Sequence, residues 1–185
     1  MSTPDVRLVP ALPEHLDDWI SIRAGATSRR LVSMEEDSRE ALLKRLHESS
    51  SDVTDTRARS FRWMVEAQGR IVGTVSAREF SRAQGRIEVG YMLGEQYLGL
   101  GIGTRAVTLM LERLFALSVL HRVWLTTLAE NTASQALARK LGFVLEGVLR
   151  EHCVVQGRRA DQQMWGLLRP EWEARRVRAV TKAPL

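Results

Sequence analysis

The chain has one cysteine in 185 residues, Cys153, which excludes an internal disulfide and any zinc site built on paired cysteines. No uninterrupted apolar run approaches the roughly 20 residues of a membrane-spanning helix. The opening Met1-Ser2-Thr3-Pro4-Asp5 lacks the basic-then-apolar order of a secretory signal. Internal repeats and low-complexity tracts are absent. Two nucleotide motifs are missing as well. No Gly-Lys-Ser or Gly-Lys-Thr closes a P-loop, and a Gly-x-Gly-x-x-Gly fingerprint begun at Gly99 or Gly101 meets Thr104 or Ala106 where its last glycine belongs. What remains is a metal-free soluble domain with the cytoplasm as its default location and no membrane partner.

The composition is that of an ordinary globular protein, 44% apolar and 26% charged, and the length suits one domain with a sizeable core. The net charge is +5, with the excess in Arg29-Arg30, Arg57 to Arg62, Arg158-Arg159 and Arg175-Arg176-Val177-Arg178. These are scattered clusters and not one stripe. They read as a solvated arginine-rich surface, and nucleic acid is not an expected partner.

Along the chain, Val6 to Val9 reads as a short strand ended by Pro10, and Pro13 opens a helix to Arg23 with Leu16, Trp19, Ile20 and Arg23 at helical spacing. A second helix runs from Ser38 to Glu48. The acidic run Glu35-Glu36-Asp37 before it is either a helix-start signal or a substrate-facing patch. Residues 49–56 form a polar loop. Phe61 to Ala67 alternates with period two, Gln68-Gly69 turns it into Ile71 to Ala77, and a turn at Gln84-Gly85 leads into Ile87 to Leu93. This is an antiparallel meander. A helix from Ile102 to Leu117 and a strand over 122–128 complete a βαβ unit whose two strands are parallel neighbours. Asn131 is an N-cap, Ala133, Ala136, Leu137 and Leu141 form an apolar stripe, and Gly142 suits a left-handed helix end. Strands over 143–153 and 160–167 form a last hairpin. Residues 1–169 are one domain and 170–185 a basic tail or helix.

The chain is organised around Tyr97-Leu98-Gly99-Leu100-Gly101-Ile102-Gly103-Thr104. Glycine at every second position disfavours a regular strand or helix interior. The glycines therefore lie in a strand-to-helix turn, where bare backbone N–H groups and a helix N-terminus together hold an anion.

Leu98-x-x-Gly101-x-Gly103 between strand and helix resembles the Gln/Arg-x-x-Gly-x-Gly/Ala motif of the GNAT acetyltransferase superfamily. Ile87 to Leu93 followed by Gln96 to Thr104 looks like that family's strand, loop and helix. Asn131-Thr132-Ala133-Ser134, Lys140-Leu141-Gly142-Phe143, Glu146-Gly147 and the stretch from Arg150 through Gln156-Gly157-Arg158 to Asp161 resemble its second block. Together they look most like the Rim-type branch, which includes ribosomal-protein N-terminal alanine acetyltransferases. The resemblance implies an α/β GNAT fold, a mixed sheet of seven strands with helices on both faces. It implies acetyl-CoA as donor and a primary amine as acceptor. That acceptor is a protein or peptide N-terminus, with a polyamine or aminoglycoside as the alternative; a non-catalytic acyl-CoA or nucleic-acid module on the same fold is the rival from another class. Homodimers are common in the family.

The same resemblance implies the site residues. Leu98, Gly99, Leu100, Gly101, Ile102, Gly103 and Thr104 surround the pyrophosphate, and Leu98 departs from the usual Gln or Arg. Tyr91, Met92 and Leu93 offer backbone groups to the pantetheine arm and the thioester carbonyl. Thr104 donates its hydroxyl or merely caps the helix, and Arg105 and Lys140 pair with phosphates or are solvated. Asn131 touches the cofactor or only caps, and Ser134 donates to the departing thiolate. The general base is Glu88, with Glu151, His152 or a water as alternatives; a solvent-facing Glu88 is the structural alternative. Cys153 reads as a lone buried cysteine, with a covalent acetyl-cysteine route as the alternative.

Overall fold

Alternate residues of the strand Phe61–Ala67 divide the molecule into two layers: Phe61, Trp63 and Val65 enter one core and Met64 the other. The computed structural model describes residues 5–32 and 38–181, so the acidic run Glu35-Glu36-Asp37 lies outside the described residues. Its strands are β1 (Val6–Pro10), β2 (Phe61–Ala67), β3 (Arg70–Ser81), β4 (Arg86–Leu93), β5 (Arg122–Leu128), β6 (Val144–Val155) and β7 (Arg158–Leu168). They form one sheet in the order β1-β2-β3-β4-β5-β7-β6, as the mixed α/β expectation requires. Every neighbouring pair is antiparallel except β4 and β5, the two strands of the βαβ unit.

Helices cover both faces. On one, α4 (Ile102–Phe115) repeats Ile102, Ala106, Met110 and Leu114 at helical spacing and buries them against the sheet, where α4 lies on β1, β3 and β4. A fully buried side chain of this size contributes about 1.5–3 kcal/mol, so this face dominates the core. On the other, Leu16 and Trp19 of α1 (Leu16–Ala24) and Leu42 and Leu46 of α3 (Arg39–Glu48) close over Met64. Ser38 caps α3, its hydroxyl accepting from the Ala41 N–H at 3.1 Å. The last helix, α6 (Arg169–Thr181), stacks Trp172 on Phe115 at 5.7 Å.

Two expectations need correction, and one element has no sequence signal. The sequence shows no periodic signal for α2 (Ala26–Leu31), a six-residue helix that starts directly after Gly25 and is held by tertiary contacts. In α5 (Thr132–Leu141) the buried face is Gln135, Ala138 and Leu141, while Ala133 and Ala136 are exposed. Alanine carries too little apolar surface to set a helix face, and Gln135 turns inward because its amide donates to the Ala129 carbonyl at 2.8 Å. Cys153 is only half-buried, because β6 forms the edge of the sheet. No described helix is long and apolar enough to cross a membrane.

Glu146 of β6 forms a two-bond ion pair with Arg122 of β5 above Gly166, where a side chain on the intervening strand would collide with both. Those bonds hold the Glu146 carboxyl below its usual range. A depressed carboxylate pKa stabilises the fold above the unfolded value of about 4.3 and loses that contribution as pH falls through the folded value. Urea midpoints measured from pH 6 to pH 3 are expected to fall more steeply for the native protein than for Glu146→Gln. The difference is about 1 kcal/mol or less, because the pair is partly exposed to solvent.

Candidate active site

The parallel pairing of β4 with β5 lasts for three residue pairs, Arg86 with Arg122, Ile87 with Val123 and Glu88 with Trp124. Beyond Glu88, β4 stays with β3 as far as Gly73–Leu93, and β5 stays with β7 as far as Leu128–Gln162. The two strands part, so the β4 backbone over 89–93 has no strand partner on its β5 side. Buried backbone groups demand partners, so this opening is a place where a bound chain of amides can substitute for a strand.

The glycine turn closes one end of the opening. Gly99 and Gly101 have φ of +74° and +78°, a region that a side chain disfavours, and Gly101 is the N-cap of α4. The first intrahelical bond runs from the Arg105 N–H to the Gly101 carbonyl at 3.1 Å. The N–H groups of Ile102, Gly103 and Thr104 therefore lack helical acceptors and point out of the helix start. Gly103 is buried for a different reason: a Cβ there would stand 3.3 Å from both Leu93 and Leu137, so the end of β4, the start of α4 and α5 meet at this glycine. Leu98 and Leu100 are 43% and 53% exposed, which leaves the turn's backbone uncovered.

Side chains bridge the opening where the backbone ladder has stopped. Tyr91 of β4 places its hydroxyl 2.7 Å from the Ser134 hydroxyl in the first turn of α5. Asn131 accepts from the Ser134 N–H at 3.0 Å and donates its amide to the Leu31 carbonyl of α2 at 3.2 Å. The other end of α2 is tied by Thr27, whose hydroxyl donates to Glu95 at 2.7 Å. The short helix α2 thus spans from the segment before the glycine turn to the cap of α5. Beside it lies a cleft of about 470 Å³ lined by Ala24, Ala26, Thr27, Arg29, Arg30, Glu95 and Gln156.

Glu88 stands where the strands begin to part. It is 6% exposed, not solvent-facing, and both its oxygens accept from Arg78, at 2.9 Å from Nε and 2.7 Å from Nη2. These bonds raise the Arg78 guanidinium above its usual value. Counting back from the Ser81–Arg86 pair, an unbroken register would set Glu79 opposite Glu88. A bulge with Glu79 at φ +57° skips one residue and brings Arg78 there instead. Nearby, the Arg62 guanidinium carbon stands over the Trp19 ring, 4.3 Å from its centroid. Burial, followed by the charges of Arg45, Arg78 and Arg23, pushes its pKa down to about 10, and its Nε has no hydrogen-bond partner among the described residues.

Residues 5–144 match the acetyltransferase (GNAT) domain family. The chain belongs to that family. Among relatives of this GNAT protein, the uncharacterized N-acetyltransferase p20 of Bacillus licheniformis is 32% identical over 116 residues, 63% of this chain and 65% of p20. The putative ribosomal N-acetyltransferase YdaF of Bacillus subtilis is 30% identical over 57% of each chain. Spermidine N(1)-acetyltransferase of Escherichia coli is 31% identical over 52% of each. The matched part thus spans about half to two thirds of these relatives. The solved structure of RimL, a ribosomal L7/L12 α-N-protein acetyltransferase in complex with coenzyme A, superposes with a TM-score of 0.76 at 20% identity, covering 90% of this chain and 95% of that one. At that identity the likeness establishes the shared fold.

Of the residues singled out from sequence, Glu88, Tyr91, Met92, Leu93, the turn from Leu98 to Thr104, Asn131 and Ser134 all border the GNAT opening. Lys140 and Arg105 are exposed on their helices, with Lys140 about 9 Å along α5 from Ser134 at the standard helical rise. Glu151 and His152 sit at a bulge of β6, where the Glu151 N–H donates to Asp161 and the His152 ring meets Gln162 at 2.8 Å. Among the described residues no cluster of His, Cys, Asp or Glu could hold a metal. Sequence reasoning missed Arg78, Arg62, the Tyr91 hydroxyl and the ties of α2. Each depends on a cross-strand or cross-helix contact that carries no local motif. Placing a carboxylate at Gly101, with Gly101→Glu, is expected to abolish the rise in melting temperature that saturating coenzyme A gives the native GNAT domain. That rise corresponds to about 2.7 kcal/mol at a hundredfold excess over Kd, and the variant's far-ultraviolet circular dichroism stays native.

Proposed function

We propose that this chain transfers the acetyl group of acetyl-CoA to a primary amine, and that the amine is the N-terminal α-amine of a protein or peptide. The observation that carries the reading is the parting of β4 and β5 beside a helix N-terminus built on Gly99, Gly101 and Gly103. The N–H groups at the start of α4 hold the pyrophosphate, with Leu98 leaving that task to the backbone. Tyr91, Met92 and Leu93 present unpaired strand groups to the pantetheine arm. A strand N–H aimed at the thioester oxygen stabilises the charge that develops there during attack.

The remaining roles follow from where protons must go. The acceptor's ammonium has to lose a proton before it attacks. Glu88 collects it through water: a carboxylate offers about four lone-pair sites, and Arg78 occupies one on each oxygen. Ser134, in the first turn of α5, donates a hydrogen bond to the departing sulfur. Asn131 fixes Ser134 and α2 relative to each other, and Lys140 stands at the far end of α5 as a phosphate partner.

The cleft beside α2 favours an α-amine over a polycation. Two guanidinium groups, Arg29 and Arg30, line it against one carboxylate, Glu95, which already accepts from Thr27. A polyamine would meet net repulsion there; a peptide brings one ammonium and a string of backbone acceptors.

Thiol release from acetyl-CoA, measured with a panel of N-terminal peptides, spermidine and aminoglycosides, tests this directly. Peptides are expected to give the highest kcat/KM. Preference for spermidine would replace the acceptor assignment, and no thiol release with any amine would overturn the enzymatic reading. Glu88→Gln is expected to lower kcat about a hundredfold at neutral pH with little change in KM for acetyl-CoA. An unchanged kcat would move the proton transfer to another group.

A further inference from the structure

The Tyr91–Ser134 contact has features that simple packing does not require. Tyr91 lies three residues beyond Glu88, the last β4 residue paired to β5, and Ser134 belongs to the helix that follows β5. Their 2.7 Å hydrogen bond therefore crosses the opening at the level where the strand ladder is missing. The Tyr91 ring packs against the α4-side core, and burial raises its pKa above the usual value, outweighing the opposing effect of the bond to Ser134. The phenol stays protonated through neutral pH. A phenol is the stronger donor of the two hydroxyls and an alkyl hydroxyl the better acceptor. The Ser134 backbone is held independently by Asn131, so the remaining freedom of Ser134 lies in its side chain, the χ1 torsion that places Oγ and the rotation of the hydroxyl.

We infer that Tyr91 is a positioning residue: its O–H donates to Ser134 Oγ and turns the serine's own hydrogen into the opening, toward the sulfur that leaves. The inference rests on the reading of Ser134 given above. During transfer the amine nitrogen forms its bond to the acetyl carbon, the C–S bond breaks, and the electron pair stays on sulfur. Ser134 shares its hydrogen with that thiolate without giving it up. The proton taken from the amine returns to the sulfur through solvent, so the products are the amide and the free thiol. Tyr91 neither gains nor loses a proton, and its effect is to keep one donor aimed at the developing charge.

Kinetics of Tyr91→Phe, Ser134→Ala and the double variant decide the matter, and Tyr91→Phe removes one oxygen while keeping the ring that packs. Tyr91→Phe is expected to lower kcat about tenfold, the value of one hydrogen bond, with KM for acetyl-CoA within about twofold of native. Ser134→Ala is expected to lose at least as much, and the double variant no more than Ser134→Ala, because the two act as one unit. Ser134→Thr keeps a hydroxyl in reach of Tyr91 and is expected to retain most of kcat. A native kcat for Tyr91→Phe where Ser134→Ala is slow would overturn the role of Tyr91 alone, as would losses that multiply in the double variant. A native kcat for Ser134→Ala would remove the role of Ser134 and the inference with it, leaving the acetyl-transfer reading intact.

Discussion

Everything distinctive in this molecule depends on two parallel strands that stop pairing. The seven-stranded sheet is in effect two smaller sheets, β1 to β4 and β5-β7-β6, joined by three residue pairs between β4 and β5. Each half keeps its own ladder beyond the junction, so neither strand loses its order when they separate. A strand edge inside a sheet carries unsatisfied amides that in most proteins would be covered or paired. Here the edge is left facing a gap, and the gap is flanked by a helix N-terminus with its own unpaired donors. A ligand with a phosphate at one end and amides along its length matches that sequence of groups.

The walls of the gap are held by few but specific contacts. Gly103 lets α4, α5 and the end of β4 approach within ordinary packing distance, and a methyl group there would crowd two leucines. Asn131 performs two structural tasks at once, capping α5 and anchoring α2. Because α2 is also tied to Glu95, both walls are coupled to the short helix that borders the cleft lined by Arg29 and Arg30. Glu88 is kept at the apex of the gap by an ion pair whose carboxylate is buried and whose Arg78 side chain is half-exposed. Breaking such a pair from one side leaves an uncompensated charge, which ties the geometry of β3 to that of the apex.

Much of this was legible in the residues. The meander from Phe61 to Leu93 followed from period-two alternation and two glycine turns, because a hairpin's register is set locally. The limits of α5 followed from Asn131 and Gly142, whose backbone preferences are intrinsic. The glycine turn was legible for the same reason, since positive φ at Gly99 and Gly101 is a property of the turn itself. Other features were not. The expected apolar stripe of α5 holds for Leu137 and Leu141 but not for Ala133 and Ala136, and a glutamine hydrogen bond turns Gln135 inward instead. The helix α2 has no apolar period to announce it and exists because Glu95 and Asn131 hold it.

Glu88 draws the line most clearly. Its place on a strand, three residues before Tyr91, and the phosphate-ready turn that follows were determined by sequence alone, because alternation and glycine conformation are local. Its partner was decided by the tertiary structure. One bulged residue, Glu79, converts what an unbroken ladder would make a pair of opposed carboxylates into an arginine–glutamate ion pair. The same holds for Tyr91 and Ser134, 43 residues apart and joined only because two strands part and a helix returns to the gap. Local chemistry determines which groups a segment can present; only the closed sheet and its packed helices decide which of them meet.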